Sequence, residues 1–185
     1  AREAGFVVEE YYWFDPTASN RYLLEAFVRD AEEHEPAAVW LDNEQWWKSW
    51  PGYWDLLFGV TPAYVGEVFR NKELSDRAYD LLSKLRDRLS PCPVGMYTAK
   101  WFTDRWTPDT GNWINEFPLW VASYFDYGLA KYHVTWDQYF GAPPAMWKPR
   151  IPSGATKYQV LQFSSRMILP GMGIKNLDCD IWLGG

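Results

Sequence analysis

The chain is poor in histidine and cysteine, has no excess of basic charge, and contains no long apolar run. Its two histidines, His34 and His133, lie on dissimilar segments, and no H-E-x-x-H occurs. That removes the zinc peptidases and amidases, which need paired ligands at fixed spacing. Cys92, between two prolines, and Cys179, in an apolar segment, are too few for a disulfide framework and read as unpaired or buried thiols. A net charge of −6 and a pI near 4.9 argue against nucleic acid as a partner, because gripping phosphates takes clustered Lys and Arg. No stretch approaches the roughly 18 consecutive apolar residues that suggest a membrane span. G-x-S-x-G, P-loop and G-x-G-x-x-G patterns are missing, so serine-nucleophile and nucleotide chemistry lack their scaffolds. Nothing calls for a cofactor or a metal.

Aromatic side chains are abundant: 13 Trp, 12 Tyr and 10 Phe make up 19% of 185 residues. At that density they fill a core or line a groove, and flat apolar sugar faces stack well on such rings. The length suits one domain with a substantial core. Residues 37–44, A-A-V-W-L-D-N-E, form an apolar strand ending in two acids. Side chains two apart on a strand point the same way, so Asp42 and Glu44 share a face. Two carboxylates on one face suit glycosidic cleavage, in which one protonates the leaving oxygen and the other handles the developing positive charge. The same D-x-E spacing recurs at Asp30-Ala31-Glu32, but within a charged helical segment where it reads as a solvated face.

Strand and helix signals alternate through the first half. Residues 5–14 read as a strand, and residues 20–34 as a helix capped by Ser19 or Asn20, with Leu23, Leu24, Phe27, Val28 and Ala31 on one face. Residues 45–60 form an aromatic loop, and a short helical segment starts at Thr61. An amphipathic helix over 74–89 follows. Strands are expected at 94–98, 117–124, 158–163 and 177–183, joined after Tyr97 by Pro- and Gly-rich loops rather than helices. Residues 142–154 are the richest of these loops. The alternation predicts an α/β fold with a parallel sheet.

Several segments, in order, resemble the glycoside hydrolase family 25 lysozymes, the Chalaropsis-type N-acetylmuramidases. They are Tyr12-Trp13-Phe14, Trp40-Leu41-Asp42-Asn43-Glu44, Val94-Gly95-Met96-Tyr97-Thr98, Leu119-Trp120-Val121-Ala122-Ser123-Tyr124, Gln162-Phe163-Ser164-Ser165 with Pro170-Gly171, and Leu177-Asp178. The resemblance implies a TIM-like (β/α)5β3 barrel and cleavage of the β-1,4 bond between N-acetylmuramic acid and N-acetylglucosamine in peptidoglycan. Glu44 would be the general acid and Asp42 its helper, through charge stabilisation or by orienting the substrate acetamido group. Tyr12, Phe14, Tyr97, Trp120 and Tyr124 would line the groove, with Gln162 and Asp178 as polar contacts. A monomer acting on the cell wall, secreted or phage-encoded, is implied. Burial among Tyr12, Phe14, Trp40, Trp46 and Trp47, with Asp42 as like-charged neighbour, is expected to raise the Glu44 pKa.

The departures are Leu161 where the family usually has Trp, Asn43 where an aliphatic residue is commoner, and the Trp-rich loop after Gln45. The family also opens with a strand bearing an Asp that completes the site, followed by a second strand and helix. Residues 1–185 are therefore expected to be a single catalytic domain, the C-terminal three quarters of an N-terminally incomplete barrel. The alternatives are a non-catalytic peptidoglycan-binding module, a decayed enzyme keeping the groove, or a chitinase-like barrel that also uses D-x-E.

Overall fold

The computed structural model describes residues 7–16, 18–44, 72–124, 148–167 and 177–183. The loop expected at 45–60, the segment from Thr61, residues 142–147 of the loop expected at 142–154, Trp46, Trp47, His133 and Pro170-Gly171 lie outside the described residues. The elements run β1 (Glu10–Trp13), α1 (Asn20–His34), β2 (Val39–Asp42), α2 (Lys72–Leu89), β3 (Val94–Ala99), α3 (Lys100–Trp106), β4 (Leu119–Ala122), β5 (Val160–Met167) and β6 (Leu177–Trp182). Two short 3-10 helices, Pro108–Asn112 and Ile114–Glu116, precede β4.

The six described strands form one sheet in sequence order. β1 to β5 are mutually parallel, and β6 returns antiparallel to β5. This is a mixed α/β half-barrel. The antiparallel last strand was not expected from the α/β alternation.

Helix α1 begins where Ser19 accepts a hydrogen bond from the Tyr22 amide at 3.2 Å. It stops at Glu35, whose left-handed conformation (φ 47°) and following Pro36 end the helical run. Leu23, Val28 and Ala31 of α1 and Leu74, Ala78, Leu81, Leu82 and Leu85 of α2 bury against the outward side chains of the sheet. Those are Val39 and Leu41 of β2, Val94 and Met96 of β3, and Leu119 and Val121 of β4. Each Leu so buried contributes about 1.5–3 kcal/mol. The alternate residues of the same strands face the concave side, where Trp40 packs with Ala38, Val160 and Trp120.

The loop-only expectation after Tyr97 is corrected by α3, which starts directly from β3. Its cap is Ala99, which has no side-chain oxygen to offer, so the usual start signal is missing. Phe102, Thr103 and Trp106 bury and hold the seven-residue helix in place. Asp30 and Glu32 lie on α1, Asp30 half-buried and Glu32 exposed, as a solvated helix face. Neither Cys92 nor Cys179 forms a disulfide.

Candidate active site

Parallel register sets what meets on the concave face. Tyr11 pairs with Trp40 and Trp13 with Asp42, while Asp42 pairs with Tyr97 on the other side. β2 ends at Asp42, and Glu44 follows two residues on in an irregular stretch fixed to β3. There the Asn43 amide donates to the Tyr97 carbonyl at 2.9 Å, and Thr98 Oγ1 donates to the Asn43 carbonyl at 2.8 Å. Both acids therefore stand at the C-terminal end of a parallel strand, the end where such sheets place their ligand sites.

Asp42 is 3% exposed, and its Oδ1 has no hydrogen-bond partner among the described residues. Burial pushes its pKa up to about 8, against a hydrogen bond from Tyr11 that opposes the rise and with the Glu44 charge adding to it. Burial also raises Glu44, opposed by its hydrogen bond with Tyr97 and reinforced by the negative charge of Asp178. The like-charged neighbour of Glu44 expected from sequence was Asp42. In the structure Asp178 raises Glu44, and the charge effect within the D-x-E pair raises Asp42.

Around the acids, Tyr97 and Tyr124 each donate to Gln162 Oε1 at 2.7 Å. Gln162 in turn hydrogen-bonds Asp178, whose pKa is raised by desolvation and held back by that bond. Below this network the rings meet edge to face: Trp120 with Tyr97 at 5.5 Å, Trp120 with Trp40 at 5.5 Å, and Tyr11 with Tyr97 at 5.2 Å. Each indole N–H is anchored to a carboxylate, Trp120 to Asp180 at 2.8 Å and Trp40 to Glu9 at 3.0 Å. Asp180 is raised to about 6 by burial and by its acidic neighbours Asp178 and Glu9, despite the bond from Trp120.

Of the residues singled out from sequence, Asp42, Glu44, Tyr97, Trp120, Tyr124, Gln162 and Asp178 come together here. Tyr12 and Phe14 do not, which corrects their expected place in the groove. Their strand positions turn them outward, where Tyr12 stacks on Phe27 of α1 at 4.4 Å and hydrogen-bonds Glu10. Phe14 is 3% exposed within the core under the helices. Tyr11 takes the inward place. Only the register against β2 reveals this, since Y-Y-W-F offers an aromatic at either parity.

Among the described residues no group of three or more His, Cys, Asp or Glu is arranged to hold a metal ion. No described helix is long and apolar enough to cross a membrane. A cleft of about 490 Å³ lined by Asn20, Glu73, Asp76, Arg77 and Asp80 lies between α1 and α2, in the helix layer rather than at the acids.

A half-barrel whose concave face gathers desolvated carboxylates, phenols and indoles has the make-up of a glycoside hydrolase. The family model of glycosyl hydrolases family 25 matches residues 1–172, and the chain belongs to that family of glycoside hydrolases. No curated protein sequence matches it significantly. Among solved structures it is similar to the muramidase from Acremonium alcalophilum, with 16% identity, a TM-score of 0.62, and coverage of 100% of this chain and 71% of that one. The family GH25 lysozyme from Aspergillus fumigatus gives 17%, 0.57, 100% and 71%. A glycosyl hydrolase 25 of Streptococcus pneumoniae gives 15%, 0.58, 98% and 61%. At these identities the likeness is one of fold.

Proposed function

We propose that this protein is a peptidoglycan hydrolase that cleaves the β-1,4 bond between N-acetylmuramic acid and N-acetylglucosamine, with Glu44 as general acid and Asp42 assisting. One observation carries the reading: two adjacent acids at a strand end, both pushed toward the protonated form by burial, facing a wall of aromatic rings. Family membership and the muramidases of like fold support it. A carboxyl kept protonated near neutral pH can donate to the leaving glycosidic oxygen. Asp42 presents a buried acceptor without a partner among the described residues, suited to an acetamido N–H or to positive charge developing at the sugar. Tyr97, Trp120, Tyr124 and Tyr11 would border the sugar rings, with Gln162 and Asp178 as polar contacts at the groove edge.

In this reading residues 1–185 form a single catalytic domain belonging to a (β/α)5β3 barrel. The run of five parallel strands followed by an antiparallel one supports that assignment. The substrate is the cell wall, so the protein acts outside or at the surface of a bacterial cell, as a monomer.

The test is the identity of the new reducing end. Purified peptidoglycan is digested with the full-length protein, reduced with borohydride and hydrolysed. Reduced N-acetylmuramic acid is the expected product. Reduced N-acetylglucosamine would assign the other bond, and binding without any new reducing end would make the protein a wall-binding module.

A further inference from the structure

The described part of the connection from β4 to β5, residues 148–159, contains no helix, and its anchors fix the way it runs. The Arg150 amide donates to Ser123 Oγ at 2.8 Å, just past the C-terminal end of β4. Further along, Gln159 meets the opposite end of that strand. Its amide donates to the Leu119 carbonyl at 2.8 Å, and its side-chain oxygen accepts from the Leu119 amide at 2.6 Å. Because β2, β3 and β4 are parallel, the chain descends beside β4 from the sheet end that carries Asp42 and Glu44 to the end that does not.

On the way down it is pinned to the helix layer. Ser153 gives its amide and its hydroxyl to Asp104 of α3, both at 3.0 Å. Gly154, at φ 87°, lies so close to Gly111 that a Cβ would come within 2.4 Å of the Gly111 carbonyl oxygen. Asn115 donates to the Gly154 carbonyl at 2.8 Å and accepts from the Thr156 amide and hydroxyl, each at 2.9 Å. Ile151 and Ala155 pack on the core, and Pro149 and Pro152 hold the residues before them to extended backbone.

This anchored segment carries two cations at its upper end. Lys148 and Arg150 are exposed, and neither forms an ion pair with another described residue. Lys84 and Lys100, by contrast, each pair with an acid one helical turn away. The concave face presents carboxyls, phenols and indoles, so uncompensated positive charge at the same end of the sheet suits a negatively charged part of the ligand.

We propose that Arg150, with Lys148 beside it, is a rim site for the carboxylates of the peptide stem that peptidoglycan carries on its N-acetylmuramic acid residues. The proposal rests on the reading of peptidoglycan as substrate. The stem hangs from the same sugar whose bond would be cut, so a strand lying across the acids brings its carboxylates to the rim. A guanidinium presents paired N–H donors that match a carboxylate, and the pinned backbone lowers the cost of ordering it. Strands with stems are then selected over bare strands.

The test uses soluble glycan fragments from walls freed of phosphate polymers by hydrofluoric acid. They are prepared with free stem carboxylates, with those carboxylates converted to amides, and with the stems removed by an amidase. Calorimetry uses the full-length protein carrying Glu44→Gln, so that no fragment is cut. Fragments with free carboxylates are expected to bind about three- to fivefold tighter than the other two forms, a preference that fades as salt is added. Adding Arg150→Gln, which keeps the backbone N–H that anchors the segment, should abolish the preference and leave the affinity for stripped fragments unchanged. Arg150→Lys should keep part of it. Lys157→Gln removes an equal charge from the exposed lower part of the same segment and should change nothing. Equal binding of the three forms before Arg150 is changed, or equal losses in Arg150→Gln and Lys157→Gln, overturns the proposal. A preference that survives amidation also overturns it, because the stem is then read by something other than its charge. Should Arg150→Gln not fold, Lys148→Gln takes its place, and an undiminished preference in that variant overturns the proposal. Only binding is read, so the rim site can hold while the reducing-end assay fails, and the reverse.

Discussion

Replacing Asp42 by Asn should shift stability in favour of the variant progressively as the pH rises from about 4 to about 8. Asp42 ionises at about 3.8 when free and at about 8 in the fold. Between those values the folded state binds a proton that the unfolded chain has released, so stability falls as pH climbs from about 4 to about 8 and is level above that. At about 1.36 kcal/mol per unit, the full displacement has a ceiling of about 6 kcal/mol, and structural relaxation and water entry bring the working value to about 2–4 kcal/mol. Asn abolishes this loss. It also brings an amide nitrogen into a site where Asp42 Oδ1 already lacks a partner among the described residues, costing about 1–3 kcal/mol at every pH. Urea denaturation of both proteins at pH 5 and pH 8 reads the difference. Asp42→Asn should be equal to or less stable than wild type at pH 5 and should gain on it by about 2–4 kcal/mol at pH 8. A stability difference that does not change with pH, or that moves in favour of wild type as pH rises, refutes the reasoning that Asp42 is held protonated by burial. The gain would come with loss of function, as expected where an active site stores unfavourable electrostatics.

Three further outcomes follow from the geometry. Gly95→Ala would set a Cβ 2.4 Å from Trp40 Cζ3 and 2.8 Å from the Pro118 carbonyl, so thermal denaturation should show a loss of about 1–3 kcal/mol. Tyr11→Phe removes the hydroxyl that hydrogen-bonds Asp42 and should lower wall-clearing activity, whereas Tyr12→Phe, on the helix side, should leave it unchanged; equal effects would contradict the register. Asp180→Leu strips the Trp120 indole of its acceptor and should weaken binding of soluble peptidoglycan fragments by about 1 kcal/mol in calorimetry, with Asp180→Asn retaining most of the affinity.

The outer layer was legible because its rules are local. Ser19 caps α1 and Leu23, Val28 and Ala31 repeat at helical spacing, so its bounds match residue for residue. The strand ending in Asp42 declared itself by an apolar run stopped by acids. The concave face was harder, because it depends on register between strands far apart in sequence. Y-Y-W-F gives no sign of which tyrosine turns inward, and only the pairing of Tyr11 with Trp40 decides it. Asp180 was not singled out from the sequence; antiparallel pairing sets it opposite Gln162 and within reach of Trp120. Helix α3 was missed for want of a capping side chain at Ala99.

The central claim is that Glu44 delivers the proton that breaks the glycosidic bond. Release of reducing ends from purified peptidoglycan by Glu44→Gln, compared with wild type at equal concentration and with folding verified by circular dichroism, tests it most directly. The account predicts a rate lowered by about 10²–10⁴-fold with binding to the wall retained. A variant that clears walls at the wild-type rate would contradict it.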